Sequence, residues 1–364
     1  MDTNRKRKAR RRRSAPTIAD VAREAGVSPM TVSRVINGES NVRDSTRMKV
    51  EASIAELGYA PNEAARVLAG ARQIQVAMLY CKPSAYISDF LFGGLERARI
   101  SNVQIVAEKC VDDREAMKAV KRLQLGGIDG VILPPPLGDS NRLLDVLEAS
   151  DTPTVVVTSR PLRDNVSAVS IDDYDAAQAM TRHIISLGHE RIAFIKGDPH
   201  QHASEYRLAG YRDAMRAAGL DDAPELQVPG LFSYRSGLVA AEQLLDLKVP
   251  PTAIFASNDA MAAATVAVAH RRGLDVPGDI SVCGFDDTAI AVMLWPELTT
   301  IHQPIADLSR AATDLLVKKV RARHSGTEAK SRHLLLDYRL VRRQSDAAPR
   351  AQLRAGSAKS RSKS

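Results

Sequence analysis

Apolar positions along the chain follow two different periods, and the change from one to the other divides it. Between Thr17 and Pro61 they recur every three or four residues with no strand-like run, which predicts short helices. Thr17 with Asp20 makes a capping box at the start of the first helix, and Gly26 closes it. Ser28 caps a second, with Pro29 at the first helical position, where a missing N–H costs nothing, and Asn37-Gly38 stops it. A third runs from about Asp44 to Leu57 with Val50, Ile54 and Leu57 on one face. Three short helices with a tight glycine turn between the first two form a helix-turn-helix pattern.

From Ile74 onward, short apolar runs alternate with helix-period stretches. "IQVAMLY", "VQIVAE", "GVILP", "PTVVVT", "RIAFIKG", "TAIFAS" and "ISVCGFDD" read as buried strands, and 112–125, 174–187, 205–218 and 259–272 read as helices between them. Such alternation predicts parallel sheets with helices on both faces, and ligands at the carboxyl ends of the strands. There is too much of it for one small sheet, so two lobes are expected. A long helix with Leu308, Ala312, Leu315 and Leu316 on one side follows "TTIHQP", and two last strands, "RHLLLDY" and "RLVRR", close the fold. The predicted fold is therefore multidomain: an all-α helix-turn-helix head (17–61) and a two-lobed α/β core (74–345) of two parallel sheets flanked by helices.

The joining stretch "YAPNEAARVLAGARQ" has Asn62 as a cap and Gly70 as a stop only about two turns later. So short a helix is marginal in water and should form only when packed against something. Residues 62–73 are read as a conditional hinge helix or linker, with Leu68 placed to act as an apolar wedge between base steps in a DNA minor groove.

Charge sharpens this picture. The formal net charge is +8, but it resides in the ends: residues 1–16 carry eight Lys or Arg against Asp2, and residues 347–364 carry five with no acid. The chain between them is net acidic. Residues 1–16 and 346–364 are expected to be disordered, either as solubilising ends or through nonspecific attraction to phosphate or acidic lipid. Cys81, Cys110 and Cys283 stand far apart with no metal-type spacing, which fits a reducing compartment. No apolar run reaches the roughly 18 residues of a membrane span, and no signal-peptide core follows the basic start. A cytoplasmic location without membrane contact is the expectation.

On the second helix, Val32 and Val35 read as core. Pro29, Met30, Ser33 and Arg34 project to the other side, where a recognition helix in the major groove would meet base edges. Arg34 has the two-pronged donor set for guanine, Pro29 and Met30 suit thymine methyls or shape, and Thr17, Ser28, Thr31 and Asn37 are further candidates for DNA contacts, hydroxyls and helix-terminal N–H groups being suited to phosphates. Residues 17–72 hold seven basic and seven acidic side chains, so affinity must come partly from the arm and from dimerisation. Arg66, Leu68 and Ala69 are the hinge candidates. No nucleophile, phosphate-loop or metal signature is convincing, and His200 and His202 in "GDPHQH" read as a polar loop. No enzyme activity, cofactor or metal is expected.

Taken together, "TIADVAREAGVSPMTVSRVINGE", "AELGYAPNEAARVLAG", "SLGHERIAFIKG", "RLAGYRDAM", "IFASNDAMA", "DVPGDISVCGFDD" and "PELTTIHQP" resemble the lactose repressor and purine repressor family of bacterial transcription regulators, from Thr17 to about Val341. The resemblance implies a periplasmic-binding-protein-like core with an effector in the cleft, lobe one holding about 74–171 and 303–330 and lobe two about 172–300 and 331–345, a dimer or dimer of dimers, and a palindromic double-stranded DNA operator. It implies effector contacts at Arg207, Asn258, Asp286 and the Phe232 platform, with Phe90 and Asp172 as weaker candidates. A repressor of carbohydrate-utilisation genes is the leading function, and a sugar the leading effector. A purine effector, an activator role, or a sugar-binding protein or sugar-processing enzyme on the same lobes are the alternatives. Three departures stand out: Arg43 sits where a serine or threonine usually caps helix three, predicting a start one residue late; "ERARISNVQIV" lacks the usual glycine turn; and "YCKPSAYISDF" alters the loop bordering the ligand.

Overall fold

A computed structural model of the protein describes residues 16–36, 42–57, 59, 73–159, 166–327 and 329–350. They form two compact units that divide between Gln73 and Ile74.

The first unit contains α1 (Ile18–Ala25), α2 (Pro29–Ile36) and α3 (Asp44–Leu57). The capping box is present: the Asp20 amide donates to Thr17 Oγ1, and the Thr17 amide donates to Asp20 Oδ2 at 2.9 Å. These bonds hold the Asp20 carboxyl below its usual range. Gly26, at φ 67°, takes the left-handed turn after α1 that a side chain would resist. The Ser28 hydroxyl accepts from the Thr31 amide and starts α2. Val21, Ala22, Val32, Val35 and Val50 make the small core, with Ile54 and Leu57 against its edge. Arg43 does not delay α3, because its carbonyl accepts the Thr46 and Arg47 amides and the helix begins at the next residue.

The second unit is built on two six-stranded sheets. In chain order come β1 (Ile74–Tyr80), α4 (Ala85–Ser101), β2 (Val103–Lys109), α5 (Asp113–Leu125), β3 (Gly130–Leu133), α6 (Asn141–Ala149), β4 (Thr154–Val157) and β5 (Ser167–Ser170). Then follow α7 (Asp173–Ser186), β6 (Ile192–Ile195), α8 (His202–Ala217), β7 (Gln227–Val228), α9 (Tyr234–Leu245), β8 (Ala253–Ala256), α10 (Asp259–Arg271), β9 (Ser281–Asp286) and α11 (Ile290–Met293). The chain ends with β10 (Thr299–His302), α12 (Ile305–His324), β11 (His333–Leu335) and β12 (Arg339–Val341).

The first sheet runs β11-β5-β4-β3-β1-β2, all parallel; the second runs β12-β10-β9-β8-β6-β7, parallel except for β12. Each is covered on both faces. In lobe one, Met78, Ile132 and Val155 meet Leu308, Ala312 and Leu316 of α12, while Leu79, Val131 and Val156 meet Ala119 of α5 and Leu143 of α6. In lobe two, Ile254 and Val282 face α9 and α10, and Phe194 and Phe255 face α7 and α8. The chain crosses between lobes at 171–172, 303–304 and 336–338.

Two expectations are corrected. The last two strands do not both belong to lobe two: β11 extends the first sheet beside β5, fixed by the Arg332 amide on Ser167 Oγ and by the Ser170 hydroxyl 2.7 Å from His333 Nε2. Nor does the disordered tail start at Asp346. That residue is buried, hydrogen-bonded to Thr299 and His183, and the following segment is sewn to lobe two through Ala347 and the Arg350–Asp279 pair. The missing glycine turn is supplied by Asn102, at φ 56°, a residue that tolerates the left-handed region. The arm 1–15, Asn37, the hinge candidates Arg66, Leu68 and Ala69, and the tail from 351 lie outside the described residues.

Candidate functional site

In the first unit, α2 buries Val32 and Val35 and turns Pro29, Met30 and Arg34 outward, with Met30 64% exposed. Ser33 and Thr31 are half-buried, and the Thr31 hydroxyl lies 2.9 Å from Ser28 Oγ at the helix start. Thr17 is exposed at the start of α1. The outward face thus combines small apolar surface with a guanidinium. That is the equipment for reading thymine methyls and guanine edges.

In the second unit, a cavity of about 450 Å³ opens where strands of both sheets end. Loops after β1, β3, β4, β6, β7 and β8 reach it, as do the ends of β5 and β9, which is where open parallel sheets present ligand sites. Lobe one contributes Tyr86, Asp139 and Ser159; lobe two contributes Asp198, Arg207, Phe232, Asn258 and Asp286.

Arg207, on α8, is the centre. It is 5% exposed; its Nε donates to Asp173 Oδ1 at 2.7 Å and its Nη1 to the Ser257 carbonyl at 2.6 Å. Asp286 Oδ1 lies 3.7 Å from Nη1, and the guanidinium carbon sits 3.6 Å above the Phe285 ring and 5.6 Å from that of Phe232. A buried cation is held only where pairing and ring faces replace its water, and all are present here. Ser159 on lobe one donates to Asp173, and the His202 amide at the start of α8 donates to Asp139 of lobe one at 3.3 Å, so polar contacts span the cleft.

Asp286 ends β9 at φ 117°, and Asp287 follows at φ 60°. Gln303 Nε2 donates to Asp286 Oδ1 at 2.6 Å, and Arg343 with His302 fixes Asp287. Burial, against the opposing pull of Arg207, pushes the Asp286 carboxyl up to about 7. Burial also raises the neighbouring Asp259, which accepts from Thr288 and Thr300. Phe232 holds φ 53°, and its ring lies where a side chain at Gly197 would sit, since a Cβ there would be 2.1 Å from Cζ. Non-glycine residues in this backbone region cost energy and gather at functional sites.

Of the six expected contacts, Arg207, Phe232, Asn258 and Asp286 come together at the cavity. Asn258 is occupied as the α10 cap, its Oδ1 accepting from the Met261 amide and its Nδ2 donating to the Phe232 carbonyl. Phe90 does not line the cavity: it is fully buried in the lobe-one core, stacked on Tyr86, which does. Asp172 does not line it either. It is exposed and caps α7 by accepting from the Asp175 amide, leaving the next residue, Asp173, to point inward. Sequence reasoning missed Tyr86, Asp139, Asp173, Asp198 and Gln303. The capping rule applied to "DDYD" would have separated Asp172 from Asp173; the others carry no local signal. His200 pairs with Asp198, and no three-residue metal cluster occurs among the described residues.

A helix-turn-helix unit and a two-lobed α/β unit with a cavity at its strand ends define the class: a DNA-binding transcriptional regulator whose second domain holds that cavity. The family description "Bacterial regulatory proteins, lacI family" matches residues 17–62, and "Periplasmic binding protein-like domain" matches 181–345. Catabolite control protein A of Priestia megaterium is 36% identical over 83% of this chain and 92% of that protein. Among solved structures, the transcriptional regulator CelR–cellobiose complex has a TM-score of 0.70 and 31% identity, covering 91% of this chain and 99% of that one. The lac repressor dimer bound to operator and the anti-inducer ONPF has a TM-score of 0.66 and 30% identity, covering 92% and 100%. The chain belongs to the lacI family of bacterial regulatory proteins. It is a DNA-binding transcriptional regulator and not an enzyme.

Proposed function

We propose that this regulator represses carbohydrate-utilisation genes in the bacterial cytoplasm, binds a palindromic operator as a dimer, and is gated by a sugar held between the lobes. The observation that carries the reading is the Arg207 cluster: a guanidinium clamped by carboxylates, against the rings of Phe285 and Phe232, inside a cavity contributed by both lobes and also lined by Tyr86. Hydroxyls need paired donors and acceptors, and an apolar sugar face needs a ring, so this set suits a polyhydroxylated ligand. The cellobiose held by the similar CelR structure and the operator held by the lac repressor dimer support the same reading.

A second copy has an apolar surface to meet. Phe92, Leu95 and Ile100 are exposed on α4, and Val292, Met293 and Trp295 are exposed at α11. Isolated exposed apolar groups are ordinary, but two clusters of large ones fit an interface between copies. On the DNA side, Arg34 reads a base edge, and Arg66, Leu68 and Ala69 are further DNA contacts, Leu68 as the minor-groove wedge. Leu68→Ala should weaken specific operator binding far more than nonspecific binding, and an unbent operator in the wild-type complex would rule out the wedge.

The sensing half is tested by a thermal-shift panel of sugars and nucleobases, read alongside operator binding by fluorescence anisotropy. A sugar that raises Tm and changes operator affinity about tenfold or more supports the reading. Stabilisation by a purine alone would replace the sugar, and a stabilising sugar without effect on operator affinity would remove the gating.

A further inference from the structure

Deepening that reading, and resting on it, we infer that the effector is an electrically neutral, hydroxyl-rich molecule, and that the cavity rejects its phosphorylated and carboxylated counterparts. Three observations converge. Asp139, Asp173, Asp198 and Asp286 all line the cavity, against Arg207 and Lys82. With Asp286 counted as neutral, the remaining three carboxylates still outnumber the two cations. Lys82 is exposed at the rim and stays hydrated, whereas Arg207 is already engaged by Asp173, the Ser257 carbonyl and Asp286.

Four of the helix starts around the cavity, a kind of position that elsewhere cradles phosphates, have an amide occupied from within the chain. Ser84 Oγ accepts from the Ile87 amide at α4, Ser233 Oγ from the Ser236 amide at α9, and Asn258 Oδ1 from the Met261 amide at α10. At α8 the His202 amide donates to Asp139. At these four starts one amide each is already taken, whereas α11, whose Ile290 lines the cavity, and α12, which follows Gln303, carry no side-chain cap.

The third observation is the sense of the hydrogen bonds on offer. Carboxylate oxygens only accept, and Asp198 Oδ2 has no partner among the described residues, its Oδ1 being the atom that accepts from the His200 amide. A ligand hydroxyl supplies the donor such oxygens need, and can accept in turn from the remaining Arg207 nitrogen. A phosphate dianion or a carboxylate supplies no donor, and it brings like charge into a partly desolvated site, which at about 5 Å and an effective dielectric near 20 costs roughly 100-fold in affinity.

The experiment titrates the full chain by calorimetry with matched pairs: glucose and glucose 6-phosphate, ribose and ribose 5-phosphate, glucose and gluconate. The expected result is that any sugar that binds does so about 100-fold more tightly than its phosphate or acid, and that Asp198→Asn narrows this ratio about tenfold. A phosphate or acid that binds as tightly as its neutral parent, or a ratio unmoved by Asp198→Asn, would overturn the inference while leaving a sugar-gated regulator standing. Failure of every member to bind would remove the sugar reading itself, and this inference with it.

Discussion

Arg207 concentrates the chemistry of the cavity in one side chain, and its surroundings say how it should respond to change. Removing a buried cation leaves Asp173 uncompensated, so Arg207→Ala should lower the stability of the core by about 3–5 kcal/mol, seen as a fall in Tm. Operator binding below that Tm should persist while the response to effector disappears; an intact response would place the ligand elsewhere. Arg207→Lys should keep more of the fold and still lose the response, because one ammonium cannot serve Asp173, the Ser257 carbonyl and a ligand together. On the head, Arg34→Ala should relax base preference at one operator position by about 1–3 kcal/mol, measured by binding to a set of single-base variants. A uniform loss across all sequences would make it a phosphate contact. These residues were legible because their neighbours form motifs. Asp173 and Gln303 were not, since their roles come from contacts 34 and 17 positions away along the chain, to Arg207 and Asp286.

At the scale of elements, what could be read from sequence was what long apolar runs and caps specify locally. β1 matches "IQVAMLY" residue for residue, α1 starts and stops at Thr17 and Gly26, and α2 starts after the Ser28 cap. β5, "SAVS", was overlooked because its serines are buried only by virtue of hydrogen bonds to Arg332 and His333, 165 and 163 residues downstream. β7 has two residues and no pattern to detect. The assignment of β11 to lobe one likewise depends on those distant partners. One close approach between elements gives a direct test: a Cβ at Gly93 of α4 would stand 2.3 Å from the Ala306 carbonyl oxygen of α12. Gly93→Ala should therefore destabilise the core by roughly 1–3 kcal/mol in chemical denaturation, since backbone and not a flexible side chain must give way. An unchanged midpoint would mean the two helices are not packed that closely.

For the whole molecule, the buried carboxyl of Asp286 makes stability depend on pH in an unusual direction. Its folded value, about 7, lies above the ordinary 3.8, so between these values the folded state holds the proton more firmly than the unfolded state. Stability from this group is full below about pH 4 and is lost as pH rises toward and through 7, opposite to the usual paired carboxylate. Asp286→Asn should reduce the fall in Tm between pH 5 and pH 8 measured by scanning fluorimetry; an identical fall in the variant would assign the effect to other groups.

The central claim joins the two units: a trihelical head reads a DNA sequence, and a ligand in the cavity of the α/β unit changes how well it does so. Fluorescence anisotropy of the full chain on a palindromic duplex and on its scrambled counterpart, with and without a stabilising neutral sugar, tests this most directly. The account predicts a preference for the palindrome of about 1000-fold or more, and a sugar-dependent change of about tenfold in that affinity alone. Equal affinity for both duplexes, unaltered by any sugar that stabilises the protein, would contradict it.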